Sequence, residues 1–204
     1  MKNSYIYSLL MLLGVLLTAS KCKKQEVIPA PLVSTILCDG NGSNSYFPLV
    51  NGDTWKYNHS ILMSLQTIEP ELVIFGTTTI NSLTYFQLKD NQVYLYSTTQ
   101  NFRSDLGTND VYLNSNIDSQ DYLFVPGTPI LNQEWACDNG NIRKVSNLTA
   151  SVNTVSCHYK DLIEISVFNG ETLIQREYFK KGLGRVFIFT PGGDRYTLTS
   201  TNLN

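Results

Sequence analysis

The stretch V155-S-C-H-Y-K-D-L-I-E-I-S-V-F-N-G-E-T-L-I-Q-R-E-Y-F-K-K-G-L-G-R-V-F-I-F189 decides the fold. It reads as three strands in succession, about Tyr159–Phe168, Leu173–Phe179 and Arg185–Phe189. Turns at Asn169-Gly170 and Gly182-Leu183-Gly184 join them. Alternating runs separated by Asn-Gly are a strong hairpin signal, because both turn residues tolerate positive φ. An isolated hairpin is marginal in water, so this one requires further sheet beside it.

The flanking chain supplies that sheet. Strand-like runs recur every 8 to 12 residues at about Leu72–Thr79, Leu83–Leu88, Val93–Ser97, Val111–Leu113, Asp121–Val125 and Gln133–Cys137. Two more, Ile142–Leu148 and Ser151–Val155, follow the turn Asp138–Asn141, and Arg195–Thr201 closes the series. Asn101–Thr108 reads as a break, and Pro126-Gly127-Thr128-Pro129 as firm punctuation. Helical period is weak throughout; Asn58–Glu69 is the one candidate for a short helix, ending before Pro70. The expectation is an all-β domain, a single antiparallel meander with at most one short helix.

The first residues read as an address. Lys2 precedes Tyr5–Ala19, an apolar run of 15 residues, where spanning a bilayer takes about 20. A cleaved export signal fits better than a membrane span. Cys22, in LLTASKCKK, resembles the acylated cysteine of a bacterial lipobox, with Lys21 where that motif has Gly, Ala or Ser. Cleavage after Ala19 or Ser20 would instead leave Cys22 a plain thiol. Lys23–Leu32, with two prolines and no hydrophobic period, reads as a tether. The division is residues 1–21 as signal peptide, 22–40 as lipidated Cys22 and tether, and 41–204 as one β domain.

Without residues 1–21 the formal charge is −4, with no basic run, so nucleic acid is not an expected partner. Cys22 apart, Cys38, Cys137 and Cys157 leave an odd count. Export permits a disulfide, and spacing favours Cys137–Cys157. Pairs through Cys38, or three thiols, are the alternatives. Cys157 and His158 are neighbours, so on a strand they point to opposite faces, which argues against a nucleophile–base pair and against a zinc site with Cys137. No cofactor or metal motif occurs. The alternation in Y46-F-P-L-V-N-G-D-T-W-K-Y57 makes Trp55 a core anchor or a ligand platform. Tyrosines on predicted strands line either a concave pocket or the rim of the core. Trp55, Tyr57, Tyr85, Tyr94 and Tyr178 are the ligand-facing candidates.

Three segments resemble a group of Bacteroidetes lipoproteins of unassigned function. Tyr46–Tyr57 is similar to its Y-F-P-L-x-x-G-x-x-W-x-Y opening. Ser151–Glu164 is similar to its V-x-V-P-A-G-T-[FY]-x-D-x-[IV] segment, with Val155-Ser156-Cys157-His158 replacing Pro-Ala-Gly-Thr. Glu177–Val186 is similar to its aromatic and G-x-G segment. The resemblance implies a sheet curved into a half-barrel or lipocalin-like barrel, and no catalytic residues. The expected protein is a non-catalytic lipoprotein of the Gram-negative cell envelope, facing periplasm or cell surface and held to the membrane by acyl chains on Cys22. Its curved sheet would bind an apolar small molecule, a glycan or an envelope protein. A glycan-acting hydrolase using loop carboxylates such as Asp53 or Asp138 is the alternative from another class, and a structural subunit of an envelope complex is the third.

Overall fold

The computed structural model describes residues 38–40, 42–61, 67–90, 98–115, 118–137 and 140–204. Cys22, Tyr94 and Asp138 lie outside them. Among the described residues the strands are β1 (Thr54–Ser60), β2 (Thr67–Ile68), β3 (Glu71–Ile80), β4 (Leu83–Asp90), β5 (Thr98–Ser104), β6 (Val111–Asn114) and β7 (Asp121–Val125). They continue as β8 (Glu134–Ala136), β9 (Ile142–Asn153), β10 (His158–Asn169), β11 (Thr172–Lys180), β12 (Gly184–Phe189) and β13 (Arg195–Asn202).

All pair antiparallel in one sheet, in the order β7-β6-β5-β4-β3-β1-β13-β12-β11-β10-β9-β8, with β2 on the side of β1. The first and last long strands are therefore partners, Trp55 opposite Thr201. The sheet curls into a barrel with one seam, between β7 and β8. Bulges help it close, since each adds local twist. β10 shifts register three times between Tyr159 and Ile165, around Asp161 at φ 53°.

The hairpin signals fold as the sequence predicts. Asn169 and Thr172 pair across a turn holding Gly170 at φ 56°. Three expectations are corrected. The expected break at Asn101–Thr108 overlaps β5, whose Phe102 is buried against Phe47 and Phe124 at ring distances of 5.5 and 5.0 Å. That burial outweighs the poor strand propensity of Asn, Arg and Ser. The runs at 142–148 and 151–155 are one strand, β9, whose register shifts against β10 carry it through the polar stretch. The helix candidate at Asn58–Glu69 instead contributes the end of β1 and all of β2; residues 62–66 lie outside the described set.

Because the strands simply alternate in direction, one end of the barrel gathers the turns β3–β4, β5–β6, β7–β8, β9–β10 and β11–β12, together with the approach to β1. The segment before β1 closes this end. Phe47 enters the interior, stacked on Trp55 at 5.2 Å and 8° and set edge-on to Phe124 at 5.4 Å. Gly182 N–H donates to the Ser45 carbonyl at 2.8 Å, fastening that segment to the β11–β12 turn. Gly184, at φ 99°, passes so close that a Cβ there would lie 2.9 Å from Trp55 Nε1, so this corner requires glycine.

Cys38 is disulfide-bonded to Cys157 in the β9–β10 turn, with Cα atoms 5.6 Å apart and a separation of 119 positions in sequence. This corrects the Cys137–Cys157 expectation. The end-closing segment brings Cys38 across the barrel to Cys157, whereas Cys137 sits by the opposite end, where its Sγ–H donates to the Asn141 carbonyl at 3.4 Å.

Candidate functional site

The closed end leaves a cavity of about 340 Å³ inside the barrel, within the usual range of small-molecule sites. Its apolar walls include Phe47, Leu72, Leu88, Phe102, Leu113, Phe124, Val167 and Ile174. A second space of about 200 Å³ adjoins it, shares Leu72, Asp90, Gln175 and Arg185, and adds Tyr57, Ile188 and Tyr196. Asp90, Asn141 and Gln175, at the strand ends remote from Phe47, place the polar side of the space at the opposite end.

Charge inside this space is organised by Glu177. On β11 it shares a face with Gln175 and Phe179, so strand alternation carries a carboxylate inward, and it is 2% exposed. Three side chains donate to it. Arg143 of β9 forms an ion pair with Oε2; Arg185 of β12 reaches Oε1 at 3.0 Å, and Gln175 Nε2 at 2.6 Å. Burying a carboxylate without partners would cost several kcal/mol, and this set offsets that penalty. Two guanidiniums on one carboxylate leave the triad with an excess positive charge; Asp90 adds a carboxylate to the wall.

Arg143 also sits over an aromatic ring, its Cζ 4.6 Å from the Phe124 centroid. Its side chain is 9% exposed. The Nε–H groups of Arg143 and of Arg185 are buried, and neither has a hydrogen-bond partner among the described residues. Buried donors are nearly always satisfied, so two orphans on side chains that line the same cavity mark a place for acceptor oxygens.

The expected ligand-facing residues separate. Tyr57 lines the adjoining space, its hydroxyl donating to the Arg185 carbonyl at 2.7 Å, and burial pushes its phenol up to about 12. Trp55 does not face the cavity: it is fully buried in the aromatic core, with its indole N–H on the Leu183 carbonyl at 2.7 Å. Tyr85 is corrected to the outer face, since Leu88, of opposite parity on β4, lines the interior. Tyr178 likewise alternates with inward Glu177 and Phe179, and packs on Phe187 at 5.7 Å. Asp53, a candidate hydrolase carboxylate, is fully buried and accepts from the backbone N–H groups of Val50 at 3.1 Å and Asn204 at 2.8 Å, which makes it a structural clamp.

Tyr85 belongs to a separate polar cluster outside the barrel. Its hydroxyl donates to Asp121 at 2.8 Å, as do Arg103 Nε at 2.5 Å and Asn114 Nδ2 at 3.1 Å. Partial burial pulls the Asp121 carboxyl upward, but these donors together outweigh it and hold the group below its ordinary value.

Arg143, Glu177 and Arg185 were not among the residues singled out from sequence. The signal was present for Glu177, a charge at the same parity as Phe179, and for Arg143, at the same parity as Val145. Arg185 carried none, because a register shift at Tyr178/Phe179 sets its direction.

No protein-family model matches the chain, and no curated protein matches it. Two solved structures do. One, from Bacteroides fragilis, is described as an exported protein with a YmcC-like fold; it has 13% identity and a TM-score of 0.44, over 77% of this chain and 98% of that one. The other, from Parabacteroides distasonis, is described as a lipoprotein; it has 9% identity and a TM-score of 0.48, over 78% and 99%.

Proposed function

We propose that this protein is a non-catalytic lipoprotein of the cell envelope, tethered through Cys22, whose barrel interior binds a small amphipathic molecule. The reading is carried by one observation: two buried guanidinium Nε–H groups without partners among the described residues, on side chains that line a cavity with both polar and apolar walls. An oxygen-rich head, a carboxylate for preference, would accept from Arg143 and Arg185. The apolar body would lie against Leu88, Phe102 and Phe124. Nothing in such binding requires chemistry, and Glu177 is already held by three donors instead of being poised for proton transfer.

The test is thermal unfolding of the protein with decanoic acid, decanol or maltose. Decanoic acid at a hundredfold excess over its Kd should stabilise by about 2.7 kcal/mol, which for a domain of this size shifts Tm by about 5–10 °C. Decanol should shift it less, and maltose not at all. Arg143→Met should remove the difference between acid and alcohol. A shift with maltose alone, or with none of the three, contradicts the proposal.

A further inference from the structure

The barrel end closed by Phe47 carries exposed apolar side chains on one turn after another. Leu106 in the β5–β6 loop is 94% exposed and Val155 in the β9–β10 turn 88%. Ile130 and Leu131 in the β7–β8 loop are 65% and 50% exposed, and Leu83 at the β3–β4 turn 45%. Val50, on the approach to β1, is 42% exposed. Single exposed apolar residues are ordinary. Six spread over five separate chain segments at one end of a barrel form a rim, and a rim of this kind marks an apolar surface to be covered.

What covers it is indicated by the chain itself. Cys38 is tied by its disulfide to Cys157, two residues from Val155, so the polypeptide leading back to Cys22 leaves from this same end. Cys22 is sixteen residues before Cys38, so covalent geometry keeps the two within about 55 Å of each other. Two carboxylates of this end are turned onto backbone, Asp105 accepting from Gly107 and Thr108 N–H and Asp110 from Gly127 N–H, while Asp39 beside Cys38 is exposed. Lys181, in the β11–β12 turn, lies over the Tyr46 ring at 5.7 Å, a cation and an amphipathic ring suited to the headgroup layer.

We infer that this rim sits in the lipid–water interface, the apolar tips entering the headgroup and upper acyl region, so that the barrel stands with its closed end on the membrane. The polar end of the cavity then points away from the bilayer. The inference uses the tether reading of Cys22 but is independent of any ligand in the barrel.

The test uses the full chain, reconstituted into phosphatidylethanolamine–phosphatidylglycerol vesicles and recovered by flotation. Nitroxide labels at L106C and I130C are compared with one at E171C in the β10–β11 turn of the opposite end, the signal of the otherwise native chain being subtracted. All three positions are exposed, so folding is not at stake. Power saturation should show L106C and I130C relaxed more by oxygen than by a water-soluble nickel chelate, and E171C the reverse. Floated protein with all three labels equally water-exposed overturns the docked orientation alone. Protein that fails to float overturns the docking and the tether together.

Discussion

The Trp135 indole N–H donates to the Leu123 carbonyl at 2.6 Å, and that side-chain bond spans the seam where β7 and β8 do not pair as strands. A Trp at this position seals the barrel with an apolar body and one polar point. Trp135→Phe should lower stability by about 1–2 kcal/mol. Amide exchange should quicken in β7 and β8 and stay unchanged in the β10–β11 hairpin. Exchange that is unchanged at the seam would mean the bond does not hold it.

The buried triad predicts an asymmetry. Glu177→Gln strands two guanidiniums in the interior and should cost about 3–5 kcal/mol. Arg143→Met leaves Glu177 with Arg185 and Gln175 and should cost clearly less. Urea unfolding of both variants measures the order, and equal losses would contradict Glu177 as the hub.

Much of this fold was legible in the chain and much of the site was not, for a common reason. Turns are local: Asn169-Gly170, Pro126–Pro129 and the Gly184 corner are written in adjacent residues with special φ preferences. Strand faces are nearly local, and parity carries Phe179 and Glu177 inward together. The triad is assembled from β9, β11 and β12, and bulges decide which side chains converge. The Cys38 pairing depends on a segment crossing the barrel end, 119 residues away in sequence. The segment 101–104 looked like a break because its composition is polar, yet Phe102 among the buried aromatics holds it in the sheet.

The disulfide should therefore appear as one linked pair of peptides containing Cys38 and Cys157, with Cys137 alkylated as a thiol after unfolding. Closing a loop of this size contributes about 2–5 kcal/mol. Cys38→Ser should lower stability by that amount and free the segment bearing Phe47. A map linking Cys137 to Cys157 would contradict the arrangement.

Acid should act on the outer cluster. The Asp121 carboxyl is held below its ordinary value in the folded state. Its contribution is therefore complete above the unfolded value, about 3.9, and is lost as pH falls through the folded one. Asp121→Asn should be less stable than the native chain at pH 7 by about 1–3 kcal/mol. The gap should narrow below about pH 4. A gap constant across that range would show that the charge of Asp121 is not what matters.

The central claim, that the barrel interior is a binding cavity in which Arg143 and Arg185 donate to a ligand's oxygens, is tested most directly by titrating the protein with a fluorescent polyene fatty acid. The account predicts a saturable signal at one site per chain, about tenfold weaker in Arg143→Met, the equivalent of about 1.4 kcal/mol, and absent when Leu88→Trp fills the cavity. A signal that does not saturate, or that is the same in all three proteins, would contradict it.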